Sequence, residues 1–316
     1  MKKILLLCLG YFSLYARVVS GSVPLASQDM APKNGGDLLV SSELVQNILH
    51  YQERGELFTY LQSHWFSLLF AVIVVGVILV FALHYLIIGA KVFNENCPCV
   101  LVYPKFQRVV HWTAALSFVL LIPTGLIMVF GKYFGGGEFV RISRYIHSIG
   151  MVIFVIIFIP LFYIWIREMM LSFRDDKKWL YMAGGYLKKK HIKVPAGKFN
   201  FGQKMWFWMA ILGGFVMIVT GLAMYFQNFD IALLRKLNLD QIDLLRIAAI
   251  AHNFVGMAVL ALFITHLYMS LFAIKGSLSS MISGYKSVHE LKYLHNSYYK
   301  KLLTKGFISE DYEEDK

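Results

Sequence analysis

The architecture of this chain follows mainly from one segment, residues 245–274: LRIAAIAHNFVGMAVLALFITHLYMSLFAI. About 20 apolar residues suffice for a helix to cross a bilayer, and this segment is longer, with Arg246 as its one formally charged residue. His252 and His266 lie 14 residues apart, which is close to four helical turns. Both rings therefore leave the same face of one helix, about 21 Å apart along its axis.

The composition places the whole chain in the same class. Of its 316 residues, 58% are apolar and 16% aromatic, and the mean hydropathy is +0.58. Soluble globular domains are about half apolar at most. We therefore predict an all-α integral membrane protein. Long apolar runs predict five spans: Phe66–Ala90, Val109–Phe130, Ile142–Ile166, Met205–Phe226 and Leu245–Ile274.

The distribution of lysine and arginine predicts the orientation. Residues 167–204 hold ten, the tail from Lys275 holds seven and residues 91–108 hold three, whereas the alternate loops together hold eight. The lysine-rich side is expected to face the cytoplasm. The net charge of +12 is thus read as a loop bias and not as a nucleic-acid surface.

Four histidines then sort by depth into two pairs. His111 and His266 are expected in the inner, cytoplasmic half of the membrane, and His147 and His252 in the outer half. Two imidazoles can saturate a haem iron and leave a centre suited to electron transfer. The alternative is that these histidines are hydrogen-bonded packing residues. Glycines nearby would give a macrocycle room, although each is also compatible with close helix packing: Gly125, Gly150, Gly221 and Gly256.

A polar motif, residues 198–204 with the sequence KFNFGQK, precedes the fourth span. Asn200 and Gln203 have the spacing of a capping box, in which both side chains bond to free amides at a helix start. Alternatively, Asn200, Gly202 and Gln203 bind a quinone headgroup beside the inner histidine pair. The motif by itself favours neither interpretation.

The remaining motifs exclude several chemistries. Cys97 and Cys99 are expected on the reducing cytoplasmic side, in an ordinary loop. No C-x-x-C-H occurs, which argues against covalent haem. His84 has no mate at its depth, and we interpret it as a packing residue or as one that faces the inner interface.

Several of these motifs together resemble one protein family. Residues 109–112, 144–147, 198–204, 266–270 and 275–284 look like the gamma, cytochrome b subunit of respiratory formate dehydrogenases, with similarity from about Lys105 to Lys286. The resemblance implies a four-helix membrane subunit with two b haems. Its outer haem ligands map to His147 and His252, and its inner ligands to His111 and His266. The family's menaquinone pocket maps to His266, Asn200 and Gly202, with Gln203 adjacent.

The resemblance also implies partners and a function. An iron–sulfur beta subunit and a molybdenum or tungsten alpha subunit would face the periplasm, and this chain would carry electrons from formate to menaquinone across the bacterial inner membrane. The alternatives are the diheme cytochrome b of a nickel–iron hydrogenase or of a thiosulfate reductase, and, in another class, a haem-free membrane anchor or transporter. The complex could also assemble into a higher oligomer, and the sequence does not decide this.

The predicted division of the chain extends beyond this core. Residues 1–21 form a signal peptide or an uncleaved anchor, 22–64 a periplasmic segment that docks on partner subunits or lies on the membrane, and 65–91 an additional transmembrane helix. The diheme domain covers 105–286. Residues 287–316 are expected to form an exposed basic tail at the lipid headgroups, with an acidic end.

Overall fold

The computed structural model describes residues 55–94, 98–226 and 241–309. The signal peptide, most of the predicted periplasmic segment, Cys97 and the acidic C-terminal end lie outside the described residues. The described part belongs to one compact unit.

Within the described residues, five helices are long and apolar enough to cross a membrane, which confirms the predicted fold class of an all-α integral membrane protein. They are α1 (Gly55–Ile88), α2 (Lys105–Val129), α3 (Gly137–Trp165), α5 (Phe201–Tyr225) and α6 (Gln241–Ala273). The shorter elements are β1 (Cys99–Leu101), α4 (Phe173–Tyr181), α7 (Ser277–Ser283), β2 (Tyr285–Ser287), α8 (Val288–Leu294) and α9 (Asn296–Thr304).

Helix α1 extends farther towards the N-terminus than the expected boundary at residue 65. It includes residues 55–64, which the sequence had assigned to the periplasmic segment, and passes through a π-helical turn at Leu61–Trp65. No proline or glycine interrupts the chain from Glu56 to Trp65, and the Ser63 hydroxyl donates to the Thr59 carbonyl at 2.6 Å. Polar side chains therefore do not end the helix here, because its backbone hydrogen bonds continue.

The helices pack as neighbours in a bundle. Helices α2 and α3 form an antiparallel hairpin through a 3₁₀ turn, Gly131–Phe134, and three glycines with positive φ, Gly135 to Gly137. Helix α6 packs against α5 and against α1. Side chains from α2, α3, α5 and α6 share one buried apolar cluster, which includes Phe118, Phe154, Phe207 and Val259.

The inner end of the bundle, where the lysine-rich segments lie, carries a small folded cap. Strands β1 and β2 pair antiparallel, with Val100 opposite Lys286. The amide of Val194 donates to the Tyr293 carbonyl at 2.7 Å, and the amide of Asn296 donates to the Val194 carbonyl at 3.1 Å. The chain after α7 is thus held against residues 194–197.

The predicted exposed basic tail covered residues 287–316, and this cap corrects that prediction over α8 and α9. Lys286 is buried in an ion pair with Glu290, and Leu291 is 1% exposed. Val288, Leu291 and Leu294 recur at helical spacing and give α8 an apolar face, which drives burial more strongly than the lysines oppose it. Lys300, Lys301 and Lys305 do remain exposed.

Candidate haem-binding sites

The outer pair comprises His147 on α3 and His252 on α6. Their ring centroids are 6.5 Å apart and their planes are inclined by 58°. Each Nδ1 lies within hydrogen-bond distance of a threonine hydroxyl: Thr124 at 3.0 Å and Thr220 at 2.9 Å. The two rings are therefore held by equivalent contacts from two different helices.

The threonine hydroxyls also determine the tautomer of both rings. Thr124 donates its proton to the Leu120 carbonyl at 2.5 Å, and Thr220 donates to the Val216 carbonyl at 2.7 Å. A hydroxyl has one proton to give, so towards the imidazole each threonine accepts. Nδ1 then carries the hydrogen, and the Nε2 lone pair is left free for a metal.

A glycine adjoins each of these rings. A Cβ atom on Gly125 would lie 3.5 Å from His147 Cε1, and one on Gly221 would lie 3.6 Å from His252 Cε1. Each follows its threonine directly, so the dipeptide Thr-Gly occurs once for each ring. The other two predicted glycines contact apolar side chains and not these histidines. Gly150 packs on Leu120 and Leu121, and Gly256 approaches Met217 and Phe70.

The inner pair comprises His111 on α2 and His266 on α6. Their ring centroids are 6.3 Å apart, with planes inclined by 59°, which nearly repeats the outer geometry. The ring of His266 stacks on Trp206 at 5.5 Å and 15°. Within the described residues, His111 Nδ1 is buried and has no hydrogen-bond partner. A buried ring nitrogen without a hydrogen-bond partner in the protein indicates that this nitrogen bonds to a ligand or to water.

Both pairs have the spacing that one iron between two imidazoles requires. With metal–nitrogen distances of about 2 Å on opposite sides, two imidazole centroids lie about 6 Å apart. The described residues contain no group of three or more His, Cys, Asp or Glu side chains that would hold a bare metal ion. The geometry thus fits a haem, which brings its own four equatorial ligands, and does not fit a protein-only metal site.

An aromatic layer occupies the space between the two pairs. Phe118 contacts Phe154 and Trp206, each at 5.3 Å between ring centroids, and stacks on Phe263 at 5.9 Å. Trp206 continues this layer to His266. The two sites are therefore separated by apolar rings and lie at different depths of one bundle.

A cavity of about 570 Å³ opens at the outer end of the α2–α3 hairpin. Arg141 and Arg144 line it together with the glycine turn. Arg144 lies three residues before His147, about one helical turn farther out. Positive charge is thus available immediately outside the outer pair.

The 198–204 motif forms the capping box that its spacing predicted. Asn200 Oδ1 accepts from the Gln203 amide at 3.0 Å, and Gln203 Oε1 accepts from the Asn200 amide at 2.9 Å. Both side-chain oxygens are used by the cap, which leaves the amide nitrogens as donors. The Asn200 amide nitrogen points to the Tyr186 hydroxyl at 3.4 Å.

Buried charges hold this motif in place. Lys204 donates to both carboxylate oxygens of Asp176 at 2.9 Å, and the two side chains are 5% and 9% exposed. On the other side, His295 Nδ1 donates to the Gly197 carbonyl at 2.8 Å. Burial raises the pKa of Tyr186, so its hydroxyl keeps its proton. The motif is a rigid helix start anchored from two directions.

The sequence prediction found the histidines but missed Thr124 and Thr220. A signal was present, since Thr-Gly occurs at the same place in α2 and α5, with each threonine five residues before the end of its helix. Threonine hydroxyls in membrane helices commonly bond to a backbone carbonyl of the same helix. Only the fold shows that these two threonines also contact imidazoles.

Comparisons with known proteins identify a family and several relatives. Residues 102–284 match a family described as prokaryotic cytochrome b561. The chain is 26% identical over 204 residues to the formate dehydrogenase cytochrome b556(fdo) subunit of Escherichia coli K12, covering 63% of this chain and 92% of that protein. It is 28% identical over 199 residues to the cytochrome b556 subunit of Haemophilus influenzae formate dehydrogenase, covering 61% and 79% respectively.

A third relative is the nitrate-inducible formate dehydrogenase cytochrome b556(Fdn) subunit of E. coli K12, 28% identical over 212 residues, which are 64% of this chain and 91% of that subunit. The family match begins after α1, so this helix lies outside it.

Proposed function

We propose that this chain, which belongs to the prokaryotic cytochrome b561 family, is the membrane cytochrome b subunit of a formate dehydrogenase. Its relatives carry that name, and most of their length is covered. The observation that carries the proposal is the repeated histidine geometry, with centroid separations of 6.5 Å and 6.3 Å at two depths.

Two b haems would be held by the four histidines, with His147 and His252 as outer ligands and His111 and His266 as inner ligands. Bound haem would supply one-electron transfer between the outer and inner ends of the bundle. The chain contributes the ligands, the threonines that orient them and the aromatic layer that excludes water between them. Arg144 would face a haem carboxylate at the outer cavity, where opposite charges attract.

Menaquinone would bind beside the inner pair, at His266, Asn200, Gly202 and Gln203. The capping box uses the side-chain oxygens of both Asn200 and Gln203, so their amide nitrogens remain as hydrogen-bond donors. A quinone carbonyl oxygen accepts hydrogen bonds from such donors. The two buried anchors of the motif would keep these donors fixed. Protons for the reduced quinone would come from the lysine-rich, cytoplasmic side.

The partners we propose are a periplasmic iron–sulfur subunit and a molybdenum or tungsten catalytic subunit, since formate oxidation needs chemistry that this chain does not offer. Two electrons crossing inward against about 150 mV would require roughly 7 kcal/mol, supplied by the fall in redox potential. Formate oxidation should therefore build a membrane potential in proteoliposomes, positive on the side of the catalytic subunit.

Affinity purification of the tagged chain from its native membrane tests the proposed function. We expect an iron–sulfur subunit and a formate-oxidising subunit to copurify, and the complex to reduce a menaquinone analogue with formate. Copurification of a hydrogen-oxidising or thiosulfate-reducing subunit would instead support those alternatives. A preparation without a b-type absorption band would contradict all three.

A further inference from the structure

We propose that His84, on the additional helix α1, is a positioning residue for the quinone site. This inference rests on the proposed quinone-reducing function. His84 lies near the inner end of α1 and bonds to two parts of the chain that border the proposed site. Helix α1 would then complete the site in this protein and not merely anchor the chain.

The hydrogen bonds of His84 have a defined direction. One ring nitrogen, Nε2, is 3.0 Å from the Tyr186 carbonyl, and Nδ1 is 2.6 Å from the Tyr268 hydroxyl. A carbonyl can only accept, so Nε2 carries the hydrogen and Nδ1 accepts from the tyrosine. The ring is thereby hydrogen-bonded on both sides, which reduces the cost of a polar group at this depth.

Both partners of His84 adjoin the proposed quinone ligands. Tyr268 follows His266 by two residues on α6, and its ring also stacks on Phe81 of α1 at 4.3 Å. The hydroxyl of Tyr186 lies 3.4 Å from the Asn200 amide nitrogen. One imidazole therefore connects α1 to the segment after the inner ligand and to the segment that contacts Asn200.

The segment that carries Tyr186 depends on such support. Gly184 and Gly185 have φ values of 60° and 73°, and a Cβ on Gly184 would lie 2.5 Å from Trp179. The chain passes close to the indole in a left-handed conformation that favours glycine. Trp179 also contacts Phe201 at 5.8 Å, at the start of α5. A shift of Tyr186 would therefore be transmitted to the start of α5.

The contacts of His84 differ from the rest of the α1 interface. Phe66 and Phe70 form an apolar cluster with Met257 and Leu260 of α6, so this part of the interface consists of van der Waals packing. A hydrogen-bonded histidine adds direction to this packing, because its two bonds fix both the height and the rotation of α1 at the inner end.

The test compares variants of the purified complex with formate as donor. His84→Leu removes both bonds, His84→Gln retains a donor and an acceptor, and Tyr268→Phe removes one hydroxyl and keeps the stacked ring. The matched control is His64→Leu, on the exposed outer part of α1, where the hydrogen bonds of the ring among the described residues are to its own helical turn. Menaquinone-analogue kinetics, haem content and activity with an artificial acceptor are measured for each.

We expect His84→Leu and Tyr268→Phe to keep both haems and full artificial-acceptor activity. KM for the quinone analogue should rise about fivefold in Tyr268→Phe, the effect of losing one hydrogen bond, and by at least that much in His84→Leu, which loses two. His84→Gln should recover part of the KM, and His64→Leu should leave it unchanged. An unchanged KM in His84→Leu would overturn the inference. Loss of assembly in His84→Leu with unchanged KM in Tyr268→Phe would also overturn it, because the histidine would then serve only to dock the helix.

Asn200→Ala separates this inference from the proposed function. If Asn200→Ala raises KM and His84→Leu does not, the positioning role alone fails. If neither variant changes the quinone kinetics, the proposed quinone site itself fails.

Discussion

At the scale of single residues, a threonine hydroxyl orients each of the outer imidazoles. A hydrogen bond to Nδ1–H makes the opposite nitrogen a better metal ligand. Thr220 provides this bond to His252 and gives its own proton to the backbone. In the proposed site, the threonine would therefore act on a haem iron only through the histidine.

Thr220→Val keeps the shape of the side chain and removes the hydroxyl. We predict that the outer haem is retained about tenfold less tightly and that its midpoint potential rises, because a less basic ligand stabilises the oxidised iron less. Redox titration and haem loss on detergent dilution measure these effects. Thr113→Val is the control, since that hydroxyl bonds only to the Val109 carbonyl; equal effects at both positions would contradict the role of Thr220.

Gly125 supplies the space beside His147. A single Cβ would be at ordinary contact, 3.5 Å from the ring, whereas a branched side chain would have to displace it. We predict that Gly125→Ala keeps both haems and that Gly125→Val loses the outer one, as seen in the haem-to-protein ratio. Gly76→Val on α1, where no atom lies within 4 Å of the added Cβ, should change nothing. Full haem content in Gly125→Val would show that this glycine does not border a haem.

Arg144 is predicted to set the potential of the outer haem. At an effective dielectric of about 20, one charge one to two helical turns away contributes roughly 2 kcal/mol, or about 90 mV for one electron. Arg144 is exposed, so solvent screening makes the effect smaller. Arg144→Gln should therefore lower the outer potential, while Arg174→Gln on α4 should not. A potential unaffected by Arg144→Gln would place the haem carboxylates elsewhere.

At the scale of the elements, the five spans were predictable because each is a long apolar run. Their boundaries were less so, because α1 continues through polar residues that hydropathy assigns to water. The capping box was one of the two interpretations that the spacing of Asn200 and Gln203 left open, and the structure contains it. The folded inner cap could not be predicted in the same way. In the sequence Lys286 is an ordinary loop lysine, and only the fold shows that it is buried in an ion pair with Glu290.

The inner cap is predicted to loosen in acid. Burial lowers the pKa of His295 to about 4, reinforced by Lys286 and opposed by Glu290 and the Gly197 carbonyl. The unfolded chain binds this proton near pH 6.5, so the contribution of His295 to stability is complete above that value and decreases as the pH falls towards 4. At pH 5 the loss is up to about 2 kcal/mol.

Hydrogen exchange of the Val194 and Asn296 amides, corrected for intrinsic rates, measures this loosening. Protection should be lower at pH 5 than at pH 7.5 in the wild type. In His295→Gln the difference between the two pH values should largely disappear. A pH dependence that persists in the variant would assign the titration to another group.

At the scale of the whole molecule, the histidine pairs, the aromatic layer and the proposed quinone residues are arranged from the outer to the inner end of one bundle. The sequence predicted the pairing from depth alone, because His252 and His266 share a helix. It could not show that His84 bonds to Tyr186 and Tyr268, since these contacts join residues far apart in the chain.

The most direct test is the haem-to-protein ratio, with the reduced-minus-oxidised spectrum, of the purified complex for wild type, His147→Ala and His266→Ala. We predict two b haems in the wild type and about one in each variant, with the loss of different spectral components. A ratio that neither substitution changes would contradict the paired ligation and leave only the membrane fold.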